Sequence, residues 1–147
     1  VLATCDGVNY LLTDEDVCAF FRAAYAAMRP GGVLIFDIST PWKLENVLGN
    51  EMIVEDREDV TYIWQNSFSK KTGLCDMALC FFLHEPDGCY RGIGETQKQR
   101  AHTRENLTAL LTGCGFTDVH VYGNSRMESP RDKEQRWHFT ARRSEEA

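Results

Sequence analysis

Apolar residues fall along this chain in two different rhythms. Near the start the rhythm is helical: Val17, Phe20, Phe21, Ala24, Tyr25 and Met28 recur three and four positions apart and make one stripe. Thr13 stands ahead of the stripe as an N-cap. Asp14, Glu15 and Asp16 fill the first turn, where carboxylates meet the positive end of the helix dipole. Pro30-Gly31-Gly32 ends the helix. Val33 to Ile38 is then a continuous apolar run, which predicts a parallel strand covered on both faces. Val1 to Thr4 reads as the end of another buried strand, entered partway, with a turn at Cys5-Asp6-Gly7. Strand, helix, strand makes a βαβ unit with a right-handed crossover.

After a short helix over Pro41 to Leu48, stopped by Gly49, the rhythm changes. Val60, Tyr62, Trp64 and Phe68 alternate with Thr61, Gln65 and Ser67, the signature of a half-buried strand. Turns at Lys70-Lys71-Thr72-Gly73 and Glu85-Pro86-Asp87-Gly88 set off two more strands, Leu74 to His84 and Cys89 to Lys98. This is an antiparallel meander inserted in an α/β chain, and insertions of that size usually serve a ligand. The helical rhythm returns after Thr103 with Leu107, Leu110, Leu111 and Cys114, and stops at Gly115. Strands Asp118 to Tyr122 and Gln135 to Arg142 follow. The expected organisation is a core part over residues 1–49, an inserted β subdomain over 50–102, and a helix with a terminal antiparallel strand pair over 103–147.

Composition narrows the function classes. The chain has 147 residues, 43% hydrophobic and 26% charged, which suits one globular domain. A net charge of −6 disfavours nucleic acid, whose binding depends on neutralising phosphates. The small basic clusters, Arg131, Lys133 and Arg136, and Arg142-Arg143, read as a solvated rim. No apolar run approaches the roughly 20 residues of a membrane span, and no membrane partner is expected. Six cysteines raise the question of a metal. Cys75, Cys80, His84 and Cys89 approach zinc-knuckle spacing. On a strand, however, Cys75 points away from Cys80 and His84, so no tetrahedral site closes and no metal is expected. Cys18 and Cys114 fall at core-facing helical positions, where a free cysteine acts as a small hydrophobe. The opening residues carry no basic signal region, so a reducing cytoplasm is the expected compartment.

Three stretches together resemble one family. Cys5-Asp6-Gly7-Val8-Asn9-Tyr10-Leu11 resembles the segment after the fourth strand of small-molecule class I S-adenosylmethionine-dependent methyltransferases. Met28-Arg29-Pro30-Gly31-Gly32-Val33-Leu34-Ile35-Phe36-Asp37 is similar to their entry into strand five. Leu107-Thr108-Ala109-Leu110-Leu111-Thr112-Gly113-Cys114-Gly115-Phe116 is similar to their late helix and its Gly-Phe ending. The resemblance implies the C-terminal half of a Rossmann-like methyltransferase sheet, with the antiparallel meander as a substrate cap. One departure stands out. The family's donor signature needs glycines at a helix N-terminus, and here Gly92 and Gly94 lie inside a strand. With no Met at its start, the chain is expected to come from a longer parent that holds most of the donor.

The resemblance also implies roles for residues. Cys5 and Asp6 would lie against the methionine portion of S-adenosylmethionine, with Asn9 and Tyr10 near the transferring methyl. Without the resemblance, Asp6-Gly7 reads as a plain turn and Tyr10 as a core aromatic packing on the first helix. Asp37 ends a strand at the ligand edge, or it caps the Pro41 helix. In the insertion, Tyr62, Trp64, Phe82 and Tyr90 would wall a small-molecule site, with Glu95 and Arg100 as polar contacts, or the aromatics build the small sheet's own core. His84 and His102 adjoin turns and are expected to be exposed, and His120 and His138 to be structural. The alternative function is a non-catalytic small-molecule or protein-interaction module on the same fold. Self-association through the exposed first strand is a further expectation.

Overall fold

Alternation within the run Val33 to Ser39 decides where the core lies. The computed structural model describes residues 1–145. In it, strand β1 (Leu2–Ala3) pairs in parallel with β2 (Val33–Ser39), with Leu2 opposite Ile35. Helix α1 (Asp14–Ala27) links the two and starts as its sequence requires, the Thr13 side chain accepting the Asp16 N–H. Leu34, Phe36 and Ile38 share one face of β2 and are fully buried, under Val17, Phe21 and Ala24 of α1.

Beyond β2 come the helical turn α2 (Pro41–Lys43), a single π turn at Leu44–Leu48, and strands β3 (Met52–Asp56), β4 (Val60–Ser69), β5 (Leu74–His84) and β6 (Tyr90–Arg100). Helix α3 (Arg104–Gly113), capped by Thr103, and strands β7 (Phe116–Tyr122) and β8 (Arg136–Arg143) complete the chain. The main sheet has the order β1-β2-β8-β7, with β8 antiparallel to both neighbours, as the sequence predicts. Its covered face holds Leu107 and Leu111 of α3, Phe116 of β7, and Phe139 of β8 stacked on Phe36 with centroids 4.8 Å apart. Of the expected cover on both faces of β2, only one is found among the described residues. On the other face Leu2 and Ile35 are 71% and 38% exposed, because no helix of the described residues packs there.

The inserted residues form a separate four-stranded antiparallel sheet, β3-β4-β5-β6. Strand β3 is the element that the sequence reading missed. Met52-Ile53-Val54-Glu55-Asp56 is a short edge strand with only Ile53 and Glu55 half-buried, so its hydrophobic pattern is faint. The pairing puts Phe68, Asn66, Trp64 and Tyr62 opposite Cys75, Met77, Leu79 and Phe81, and these opposite Gln99, Gln97, Glu95 and Ile93. Paired residues share a face, so this list is one side of the sheet. Buried Cys75 belongs to it, while Cys80 and His84 are exposed on the other side. Phe82 and Tyr90 also fall on that other side, so they do not join Tyr62 and Trp64 as walls of one site.

The π turn fastens this sheet to the core. Leu44 and Leu48 bury themselves against Cys75 and Met77. Gly49, whose N–H donates to the Leu44 carbonyl at 2.9 Å, ends the turn with φ 30°. A Cβ at Gly49 would sit 2.4 Å from the Glu45 carbonyl oxygen, so glycine is required.

Candidate functional site

The chain leaves β1 through a strained turn. Cys5 and Asp6 have φ of 62° and 55°, a left-handed conformation that non-glycine residues seldom adopt. Two groups hold it there. The Asp6 N–H donates to Asp37 Oδ2 at 3.3 Å, and the Arg136 guanidinium bridges the Asp6 and Asp37 carboxylates. Asp37 is only 4% exposed and is therefore a tie at the strand end. Capping of α2 falls to Thr40, whose hydroxyl accepts the Lys43 N–H. Arg136 corrects the reading of a solvated basic rim. Arg143 corrects it too, lying 4.7 Å over the Tyr25 ring and donating to the Tyr25 and Met28 carbonyls at the end of α1.

A 3-10 turn, Gly7–Tyr10, follows. Asn9 is fully buried and works as a clamp. Its Nδ2 donates to the carbonyls of Ser39 (3.0 Å) and Arg100 (2.9 Å), and its Oδ1 accepts the Ser39 N–H (2.9 Å). The ends of β2 and β6 are thereby held to the turn. With no exposed atom, Asn9 cannot touch a ligand directly, which corrects the expectation of a donor contact. His102 is the second buried support. Its Nε2 lies 3.2 Å from the Val8 carbonyl and 3.0 Å from that of Leu11, so Nε2 carries the proton. Its exposure of 1% overturns the expectation of a surface histidine, and burial, then Arg100, push its imidazole below the usual range. The partners lie more than ninety positions away, so nothing local announces the contact.

Tyr10 does face outward, at 43% exposed. Its hydroxyl donates to Gln97 Oε1 at 2.8 Å, and Gln97 Nε2 donates in turn to Glu95 Oε1 at 2.6 Å. The structure thus joins two sequence candidates, Tyr10 and Glu95, through a residue that the sequence reading passed over. Alternation along β6 was the available signal, because Gln97 shares the face of Glu95. Trp64 lies in the same cross-strand row as Glu95, through Leu79. Tyr62 lies one row further out, near Phe81 at 6.1 Å, its phenol held above the usual range by a hydrogen bond with Glu55. Arg100 stands apart. Its guanidinium donates to the Leu12 carbonyl at 3.2 Å and pairs with Asp14 at 2.9 Å, anchoring the insertion to the start of α1. Cys5 is exposed at the head of the turn. His120 is exposed and 2.7 Å from Asp118, while His138 is half-buried.

The described residues hold no cluster of His, Cys, Asp or Glu able to bind a metal. The arrangement is a turn and a tyrosine at the carboxyl ends of two parallel strands, roofed by a sheet with an open polar and aromatic face. Such a place suits a ligand lying across the strand ends.

No family model matches the sequence. The chain is 31% identical over 147 residues to the Bacillus subtilis protein named "Putative methyltransferase YqeM", matching 98% of this chain and 58% of that protein. Among solved structures it resembles an S-adenosylmethionine-dependent methyltransferase from Clostridium acetobutylicum, with a TM-score of 0.85 and 27% identity over 97% of this chain and 58% of the other. It shares its fold with CalS10, an amino pentose methyltransferase from Micromonospora echinaspora solved with S-adenosylmethionine bound, at TM-score 0.71 and 21% identity, again over 97% and 58%. The chain therefore spans a little over half the length of the relatives it matches.

Proposed function

We propose that this chain, which belongs to the class I S-adenosylmethionine-dependent methyltransferase family in sequence and fold, is the acceptor-side portion of an enzyme that methylates a small molecule. One observation carries the reading: the Cys5–Tyr10 segment is clamped at the carboxyl ends of β1 and β2 directly beneath the inserted sheet. When bound, S-adenosylmethionine supplies a methyl group on a positively charged sulfonium.

The residues present fit the methionine end of that donor. The left-handed turn exposes Cys5, and Tyr10 offers an accessible aromatic face. A cation against such a face gains about 0.5–2 kcal/mol. Asn9, Asp37 and Arg136 keep the turn in place, so Tyr10 is oriented before any ligand arrives. The inserted sheet, residues 50–102 in this reading, excludes water and presents Trp64, Tyr62 and Glu95 to the acceptor. The adenosine end has no counterpart among the described residues: Gly92 and Gly94 lie within β6, where no helix N-terminus can receive a ligand. In this proposal that part of the site belongs to a longer parent, and the uncovered face with Leu2 and Ile35 would self-associate when the chain is made alone.

The test is transfer of a labelled methyl from S-adenosylmethionine by the full-length protein to a panel of small-molecule acceptors. Turnover that falls at least tenfold on Tyr10→Ala supports the reading. Absence of transfer, with the donor unbound, favours the interaction-module alternative.

A further inference from the structure

Tyr10, Gln97 and Glu95 form a chain of hydrogen bonds whose direction is fixed. The Tyr10 hydroxyl has one proton, and it is spent on Gln97 Oε1 at 2.8 Å. What Tyr10 keeps for a ligand is oxygen lone pairs. Gln97 spends its carbonyl on Tyr10 and an N–H on Glu95 Oε1 at 2.6 Å, and turning the amide over would set its carbonyl against the Glu95 carboxylate. Glu95 retains its second carboxylate oxygen and has no ion-pair partner among the described residues. The two outward groups of the chain are therefore both acceptors.

The surroundings do not offset this. Arg91 shares the Glu95 face but is paired with Glu85 at 2.8 Å. Arg100 is occupied by Asp14 and the Leu12 carbonyl, and Lys98 by Asp76 across the sheet. The Trp64 indole N–H lacks a protein partner but is closed off from solvent. A ligand bringing a phosphate or a carboxylate to this spot would meet lone pairs and a negative charge, and like charges set against each other disfavour binding.

We propose that Gln97 is a positioning residue that sets Tyr10 and Glu95 as paired acceptors, so the methyl-accepting group is one that carries its own proton, an amine N–H or a hydroxyl O–H. This rests on the methyltransferase reading above. The N–H or O–H donates to Tyr10 Oη, which leaves the nucleophile's lone pair free to point at the methyl group. As the acceptor's bond to the methyl carbon formed, the carbon–sulfur bond would break, S-adenosylhomocysteine would leave, and the acceptor's proton would pass to the free oxygen of Glu95. Apolar Leu79, Phe81 and Ile93 on the same face suit the carbon frame of such a substrate.

The experiment uses the full-length protein and reads two quantities separately. Calorimetry gives the affinity for S-adenosylmethionine, and labelled-methyl transfer gives kcat and KM for ring compounds matched in frame: cyclohexylamine, cyclohexanol, cyclohexanecarboxylate and cyclohexyl phosphate. Transfer to the amine or the alcohol, and not to the two anions, is the expected result, and which of the two reacts separates N- from O-methylation. Gln97→Leu should lower kcat/KM for that acceptor by about tenfold or more, with donor affinity changed less than about twofold. Gln97→Glu, which still accepts from Tyr10 but sets a second carboxylate against Glu95, should not recover the loss. Preference for an anionic acceptor overturns the inference, as do no transfer to any of the four compounds despite tight donor binding, a Gln97→Leu enzyme with unchanged kcat/KM, or a parallel loss of donor affinity. Failure of the wild-type protein to bind the donor is a different result, because it removes the methyltransferase reading itself.

Discussion

The two sheets of this molecule are built to different standards. On its covered face the main sheet packs Phe21, Phe36, Phe116 and Phe139, each at 2% exposure or less. The inserted sheet has a much smaller buried cluster, Cys75 and Met77 under Leu44 and Leu48, and most of the same face is half-open. Polar residues follow the same division. In the core they are ties such as Asp37 and Asn9. Along β6 all but buried Gln99 are exposed or half-exposed, with Glu95 and Gln97 hydrogen-bonded to each other at the surface. A rigid layer fixes positions, and a looser one leaves surface for a ligand.

Truncations should expose that contrast most strongly. Phe36→Ala removes a fully buried ring stacked on Phe139 and should cost about 3–5 kcal/mol in denaturant unfolding. Phe81→Ala, half-buried in the insertion, should cost about 1–2 kcal/mol. Equal losses would erase the distinction between the two layers.

Next in size is the joint between them. Asn9→Ala leaves the Ser39 N–H and the carbonyls of Ser39 and Arg100 without their partner and should cost about 2–4 kcal/mol. Amide exchange should rise around Ser39 and at the β6 end, while the centre of β8 stays protected. A uniform rise across both sheets would mean that the joint does not separate them.

How far this was legible in the sequence follows the same boundary. The core elements announce themselves through local signals: the Thr13 cap, the stripe from Val17 to Met28, the Pro-Gly-Gly stop. Their order suffices for the sheet. In the candidate site, the positions of Tyr10, Trp64 and Glu95 follow from local or alternating signals. Arg136, His102 and Asn9 take their roles from partners 30 or more residues away, and neither spacing nor composition encodes such meetings. Arg100, expected as a polar contact for a ligand, is held instead by Asp14 and the Leu12 carbonyl, partners more than 80 positions away.

A smaller effect concerns pH. His102 is buried as the neutral ring with Nδ1 unpartnered, and its folded pKa lies below its unfolded value near 6.5. The unfolded chain therefore binds a proton that the folded one refuses, so stability is full above about pH 6.5 and declines as pH falls below it. Arg100 reinforces the shift, while the carbonyls of Leu11 and Val8 and the Asp14 carboxylate oppose it. Melts between about pH 7 and 5.5 should show the slope in the wild type and a shallower one in His102→Gln, where half-buried His138, pushed below the usual range by burial and by Arg136, keeps part of it. The exposed His84→Gln should leave it unchanged.

The central proposal, that the chain holds the acceptor side and the methionine end of a donor site which a longer parent completes, is tested most directly by calorimetry with S-adenosylmethionine. Titrations of the 147-residue chain and of the full-length protein should differ by about a hundredfold or more in affinity, a gap of roughly 2.7 kcal/mol, with the full-length protein the tighter binder. Low-micromolar binding by the 147-residue chain alone, equal to that of the full-length protein, would contradict it.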